Sequence, residues 1–121
     1  MSALLKHDDL FRYGAESQAE DVATGIKQVV FSADSQIIQS KSWFDRGAVL
    51  GAETNPRTLV SYVLDGFFEV NVAGRSQILG PSGSFIVPTG ADYQITCLEA
   101  GVLLGVLASE TPVARALETT Q

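Results

Sequence analysis

The chain has 121 residues, 45% of them apolar, and a formal net charge of −6. That length suits one domain with a sizeable core, and the acidic balance argues against nucleic-acid binding through a broad basic face. No run of about 18 apolar residues occurs, so the sequence predicts no membrane-spanning helix.

The opening "MSALLKHDDL" has too short an apolar run for a secretory signal, and Asp8 and Asp9 follow it. The single cysteine, Cys97, allows no internal disulfide, so a reducing cytoplasm is the expected location. The single histidine, His7, lies in this terminal stretch, where a surface role is expected. A His-rich zinc site, a Ser-His-Asp triad or a Cys-His dyad is therefore not expected. Residues 1–25 are polar and mixed and read as an arm or loop.

From Ile26 the character changes. "IKQVVFS", "QIIQSKSWF", "TLVSYVL", "FFEVNVAG", "RSQILG", "SFIVP", "DYQITCLEA" and "GVLLGVLA" follow in order, each short and bounded by turn-forming residues. In "FFEVNVAG", Phe68, Val70 and Val72 share one face and Glu69 and Asn71 the other. Ala73-Gly74 reads as a tight hairpin turn, with Gly66 and Gly74 at positive φ. Asp45 and Asp65 fit turns at strand ends. Eight strands at this spacing predict an all-β, antiparallel barrel or sandwich over residues 26–108, followed by a tail over 109–121.

Two spacings stand out. Gly47-x5-Glu53-x-Asn55-x3-Leu59-x6-Gly66 is followed by Ser82-x5-Pro88-x-Gly90-x2-Tyr93-x3-Cys97. Their frame resembles the two signature motifs of the cupin superfamily, and "YVLDG", "SFIVP" and "GVLLGVL" resemble small single-domain cupins of the KdgF kind. The resemblance implies a single RmlC-like jelly-roll barrel and a homodimer. In the family, four positions of these motifs bind a divalent metal. Here they are Glu53, Asn55, Leu59 and Tyr93, of which only Glu53 is a good ligand. No metal or other cofactor is therefore expected.

Parity suggests what the site does instead. Glu53, Asn55 and Arg57 alternate in step with Leu59, Ser61 and Val63, and Tyr93 with Ile95 and Cys97. An apolar floor would then open into a polar mouth, the makeup of a small-molecule pocket. Glu53 and Tyr93 are the candidate acid/base pair. Asn55 would orient a substrate, and Arg57 would clamp a carboxylate. Leu59, Ser61, Cys97 and Trp43 are candidate lining residues, although core filling is the simpler role for Trp43 or Phe44, and a buried inert thiol for Cys97.

The expected function is a cupin that binds a small polar organic molecule of sugar-acid or carbonyl type without metal. Isomerisation, cyclisation or elimination at Glu53 and Tyr93 would be the associated chemistry. The alternatives are a non-catalytic binding or structural dimer and, less simply, a metalloenzyme with unusual ligands. The dimer also has a sequence argument: "QVVF" or "VLLGVLA" would otherwise be an exposed apolar edge.

Overall fold

The computed structural model describes residues 11–34 and 36–108. After a short 3-10 turn at Glu16–Gln18 come eight strands: β1 (Glu20–Ala23), β2 (Ile26–Ala33), β3 (Ile37–Phe44), β4 (Val49–Ala52), β5 (Leu59–Val72), β6 (Arg75–Leu79), β7 (Ser84–Val87) and β8 (Tyr93–Ala108). No α-helix occurs among the described residues, and no helix is long and apolar enough to cross a membrane.

Every strand pairing is antiparallel, in the order β1-β2-β3-β8-β5-β6, with β4 added to β8 and β7 to β5. The two long strands organise the molecule. The first half of β5 pairs with β7 and with the second half of β8, which also carries β3. The second half of β5 pairs with β6 and with the first half of β8, which also carries β4. One ribbon of sheet thus bends back on itself into two facing layers.

The bend is written in β5. Ser61 and Val63 are buried before it, Phe68 and Val70 after it, so the inward parity changes from odd to even. The register against β8 slips between Val63 and Phe68, which is the signature of a bulge. Asp65-Gly66 sits in that slip. Gly66 has φ 84°, and its N–H donates to Asp65 Oδ1 at 2.9 Å. The layers meet over a core of Ile26, Phe44, Val63, Phe68, Val70, Ile95, Cys97 and Leu103. Phe44 from β3 and Phe68 from β5 pack edge to face, with centroids 5.2 Å apart.

The expected all-β antiparallel barrel is the fold. Ala73 and Gly74 both have positive φ, 51° and 83°, as a two-residue I′ hairpin turn requires. Asn71 Nδ2 donates to Ser76 Oγ across that hairpin at 2.9 Å.

Several boundaries differ from the sequence expectation. "TLVSYVL" and "FFEVNVAG" are one bent strand, as are "DYQITCLEA" and "GVLLGVLA". Within residues 1–25, Glu20–Ala23 forms a strand paired with β2. The short β4 was not anticipated at all. A Cβ on its Gly51 would meet Tyr93 O at 2.5 Å, so the strand needs glycine to approach β8. Of the two expected edges, "VLLGVLA" lies between β3 and β5, whereas β1 reaches β2 only at Ile26, Lys27 and Gln28, so Val29 and Val30 of "QVVF" pair with β3 alone. Residues 1–10, including His7, and the tail over 109–121 lie outside the described residues.

Candidate functional site

The stretch from Glu53 to Thr58 is a loop joining β4 to β5, not an extension of β5. Pro56 accounts for this: it has no N–H to give a ladder and biases Asn55 out of helical backbone. Alternation therefore does not carry across the loop. Glu53 and Arg57 are exposed, while Asn55 is buried at 4% exposure.

Asn55 is occupied by the fold. Its N–H donates to Ala91 O at 2.9 Å, and its carbonyl accepts from Gly90 N–H at 2.7 Å. Its side-chain Nδ2 donates to Val87 O at 3.2 Å and to Arg57 O. On the other side, Ala91 N–H closes a turn on Pro88 O at 3.1 Å. Asn55 thus fastens the β4–β5 loop to the Pro88–Ala91 turn, where "PTG" of the second motif stands. Thr58 and Thr89 add a hydroxyl contact at 3.1 Å.

The inward-facing candidates are similarly engaged. Ser61 is buried and donates to Leu104 O at 3.3 Å. Leu59 is partly buried between Val87 of β7 and Leu107 of β8. Cys97 is buried with Sγ 3.1 Å from Glu99 O and 3.8 Å from Phe44 O. Burial is the main influence pushing its thiol above the ordinary cysteine range. Such a thiol is protonated and unreactive at neutral pH.

Glu53 and Tyr93 both line one open cleft of about 670 Å³ beside the Ala73-Gly74 hairpin, on the side of the β4-β8-β5 layer away from the core, with Asp92, Gln94 and Asn71 as the other polar members. Tyr93 is half-buried against the core, and desolvation raises its phenol above the usual tyrosine value. At neutral pH the phenol is therefore protonated and is no base. Asn55, Arg57, Leu59, Ser61 and Cys97 are not part of this lining. Trp43 is elsewhere, on the outer side of β3, with Lys41 Nζ 5.3 Å from its ring centroid. It borders a separate cleft of about 420 Å³ with Glu16, Asp21, Lys27 and Asp45. Asp92, Gln94 and Asn71 were not singled out from sequence. The adjacency of Asp92 to Tyr93 was the available signal.

The four residues at which the motif resemblance implies metal ligands, Glu53, Asn55, Leu59 and Tyr93, do not form a donor set that fits a transition metal. Glu53 is exposed, the Asn55 amide is committed to two carbonyls, Leu59 has no donor atom, and the Tyr93 phenol is protonated. Among the described residues no three His, Cys, Asp or Glu side chains converge.

Comparison with solved structures follows this geometry. An RmlC-like cupin from Shewanella frigidimarina superposes with a TM-score of 0.77 at 30% identity, covering 91% of this chain and 96% of its own. The chain belongs to the RmlC-like cupins. KdgF from Halomonas sp. is similar to this cupin at TM-score 0.71 and 22% identity, over 85% of this chain and 98% of that one. Salicylate 1,2-dioxygenase from Pseudaminobacter salicylatoxidans matches the cupin at TM-score 0.68 and 17% identity, over 85% of this chain and 31% of that one. At those identities the last two share its fold alone. No protein-family model and no curated sequence matches the cupin.

Proposed function

We propose that this cupin binds a small polar organic molecule in the cleft lined by Glu53, Asp92 and Tyr93, without a tightly held metal ion. The observation that carries the reading is that Glu53, Asp92 and Tyr93 line one cleft of about 670 Å³. Two carboxylates accept hydrogen bonds from hydroxyl or ammonium groups, and the protonated Tyr93 donates one to a hydroxyl or carbonyl oxygen. The lining contains no Lys or Arg. A neutral polyol or an amine therefore suits it better than a sugar acid, whose carboxylate would face Glu53 and Asp92 unpaired. Glu53 and Tyr93 would be the acid/base pair for any isomerisation, cyclisation or elimination in this cleft. The exposure of Glu53 favours binding over turnover, because general catalysis gains from a group held and shielded against its substrate.

A panel of polyols, amines and carboxylates, followed by thermal shift and calorimetry, tests this. Polyols or amines should bind, and Glu53→Gln with Asp92→Asn should weaken them by about tenfold or more. Binding of carboxylates only would overturn the ligand class. Elemental analysis showing near-stoichiometric Zn, Mn, Fe or Ni would overturn the metal-free reading. A second reading, a barrel kept for structure, is favoured by the engagement of Asn55, Ser61 and Cys97 in the fold's own hydrogen bonds. On that reading the panel gives no binding.

A further inference from the structure

The cleft bordered by Trp43 lies on the outer side of the first layer, where β1, β2 and β3 meet the short 3-10 turn. Register sets its floor. Asp21 of β1 stands opposite Lys27 of β2, and Lys27 opposite Trp43 of β3. Directly opposed residues of antiparallel strands project from the same face. A carboxylate, an ammonium and an indole therefore form one row across three strands. Glu16 joins them from the 3-10 turn and Asp45 from just beyond β3.

The fold anchors these residues without consuming their charges. Asp45 N–H donates to Gly25 O at 2.8 Å, and its carbonyl accepts from Ala48 N–H at 3.0 Å, which leaves the carboxylate over. Among the described residues, the side chains of Glu16, Asp21, Lys27 and Asp45 form no hydrogen bond or ion pair. An exposed pair such as Asp21 and Lys27 contributes little even when it closes, so a ligand displaces it at small cost. Trp43 is half-buried, which restricts its ring. Lys41 Nζ stands 5.3 Å from the ring centroid but does not line the cleft, so it approaches the ring from outside.

We propose that this cleft binds a free α-amino acid with an aromatic or branched apolar side chain. Lys27 receives the α-carboxylate, Asp21 and Asp45 the α-ammonium, and Trp43 the side chain. A simple amine or a simple carboxylate would use only one of the two signs of charge on offer. Glu16 leaves the lining net negative, which disfavours a second carboxylate on the ligand. Lys41 already brings a cation to the indole, so an apolar or aromatic group suits the open side of the ring better than a second cation. The cleft of about 420 Å³ lies at the small end of the about 300 to 1,000 Å³ of ligand pockets, as one amino acid requires. It shares no lining residue with the cleft of Glu53, Asp92 and Tyr93.

Trp43 is the only tryptophan of the chain, so tryptophan fluorescence reports on this cleft. Titration of the full chain with L-phenylalanine and L-leucine, each repeated by calorimetry, tests the proposal. Phenethylamine and phenylpropionate, which keep the ring and one charge each, are the comparisons. Both amino acids should give saturable binding with a change in Trp43 emission. The two analogues should bind about tenfold or more weakly than L-phenylalanine, each for the loss of one charge-assisted contact. Lys27→Met should weaken L-phenylalanine by about tenfold and leave phenethylamine unchanged, whereas Asp21→Asn should weaken it and leave phenylpropionate unchanged. No binding by either method up to about 10 mM L-phenylalanine overturns the proposal. So does phenethylamine binding as tightly as L-phenylalanine, or an unaltered L-phenylalanine constant in Lys27→Met. Glu53→Gln with Asp92→Asn should leave the Trp43 response intact, so failure at that other cleft is read separately from failure here.

Discussion

Gly66 and Gly101 cross backbone against backbone at the point where β5 and β8 both bend. A Cβ built on Gly66 would lie 2.5 Å from Gly101 Cα and 2.6 Å from the carbonyl oxygens of Glu99 and Ala100, and Gly66 has φ 84°. A Cβ on Gly101 would in turn collide with Asp65 O. The two layers fold together at this crossing, so it sets the distance between Phe44 and Phe68. Gly66→Ala should destabilise by about 3 kcal/mol, combining backbone strain with overpacking. Urea unfolding followed by tryptophan fluorescence measures it.

Ser82 offers the opposite case. It occupies a position where the family motif has glycine, and it adopts φ 80° in the Gly80–Gly83 turn closed by Gly83 N–H to Gly80 O at 2.9 Å. Pro81 precedes it, as a type II turn favours. Its side chain is exposed and has no packing to lose. Ser82→Gly should therefore stabilise the protein by about 1 kcal/mol, read as a raised urea midpoint at unchanged slope.

Asn55 is assigned to structure, and this can be checked separately from binding. Asn55→Ala leaves Val87 O and Arg57 O without their donor and should destabilise by about 2 kcal/mol. Glu53→Gln, on the exposed lip, should change stability by less than about 0.5 kcal/mol. A ligand contact at Asn55 with no folding role would give the reverse order.

Alkaline pH should lower the stability of the fold over two successive ranges. Burial, as the main cause, holds the Cys97 thiol and the Tyr93 phenol above their ordinary values. The unfolded chain then releases each proton first as pH rises. The stabilisation is complete below the unfolded values, about 8.5 for cysteine and about 10 for tyrosine, and is lost as pH climbs through the folded ones. Cys97→Ala should lower stability at neutral pH by opening a small cavity, yet flatten the decline between about pH 8.5 and 10. Denaturation midpoints across that range decide it.

The strand content and the Ala73-Gly74 turn were legible because alternation and turn chemistry are local. The bends were not. Asp65-Gly66 has the composition of a hairpin turn, and only the meeting of Gly66 with Gly101, 35 positions away, makes it a bulge within one strand. The motif spacing drew Glu53 and Tyr93 together, and both line one cleft. It misplaced Asn55 and Arg57, because parity was carried through Pro56, where no ladder can form. It grouped Trp43 with them, although Trp43 faces outward from β3, the face opposite to the buried Phe44.

On the proposed reading, the cleft lined by Glu53, Asp92 and Tyr93, and not the barrel interior, receives the ligand. Chemical-shift mapping of labelled protein against a panel of small polyols and amines tests it most directly. Shifts confined to Glu53, Asn71, Asp92, Tyr93, Gln94 and their immediate neighbours are expected. Shifts centred on Leu59, Ser61 and Cys97, with that cleft unchanged, would contradict the reading.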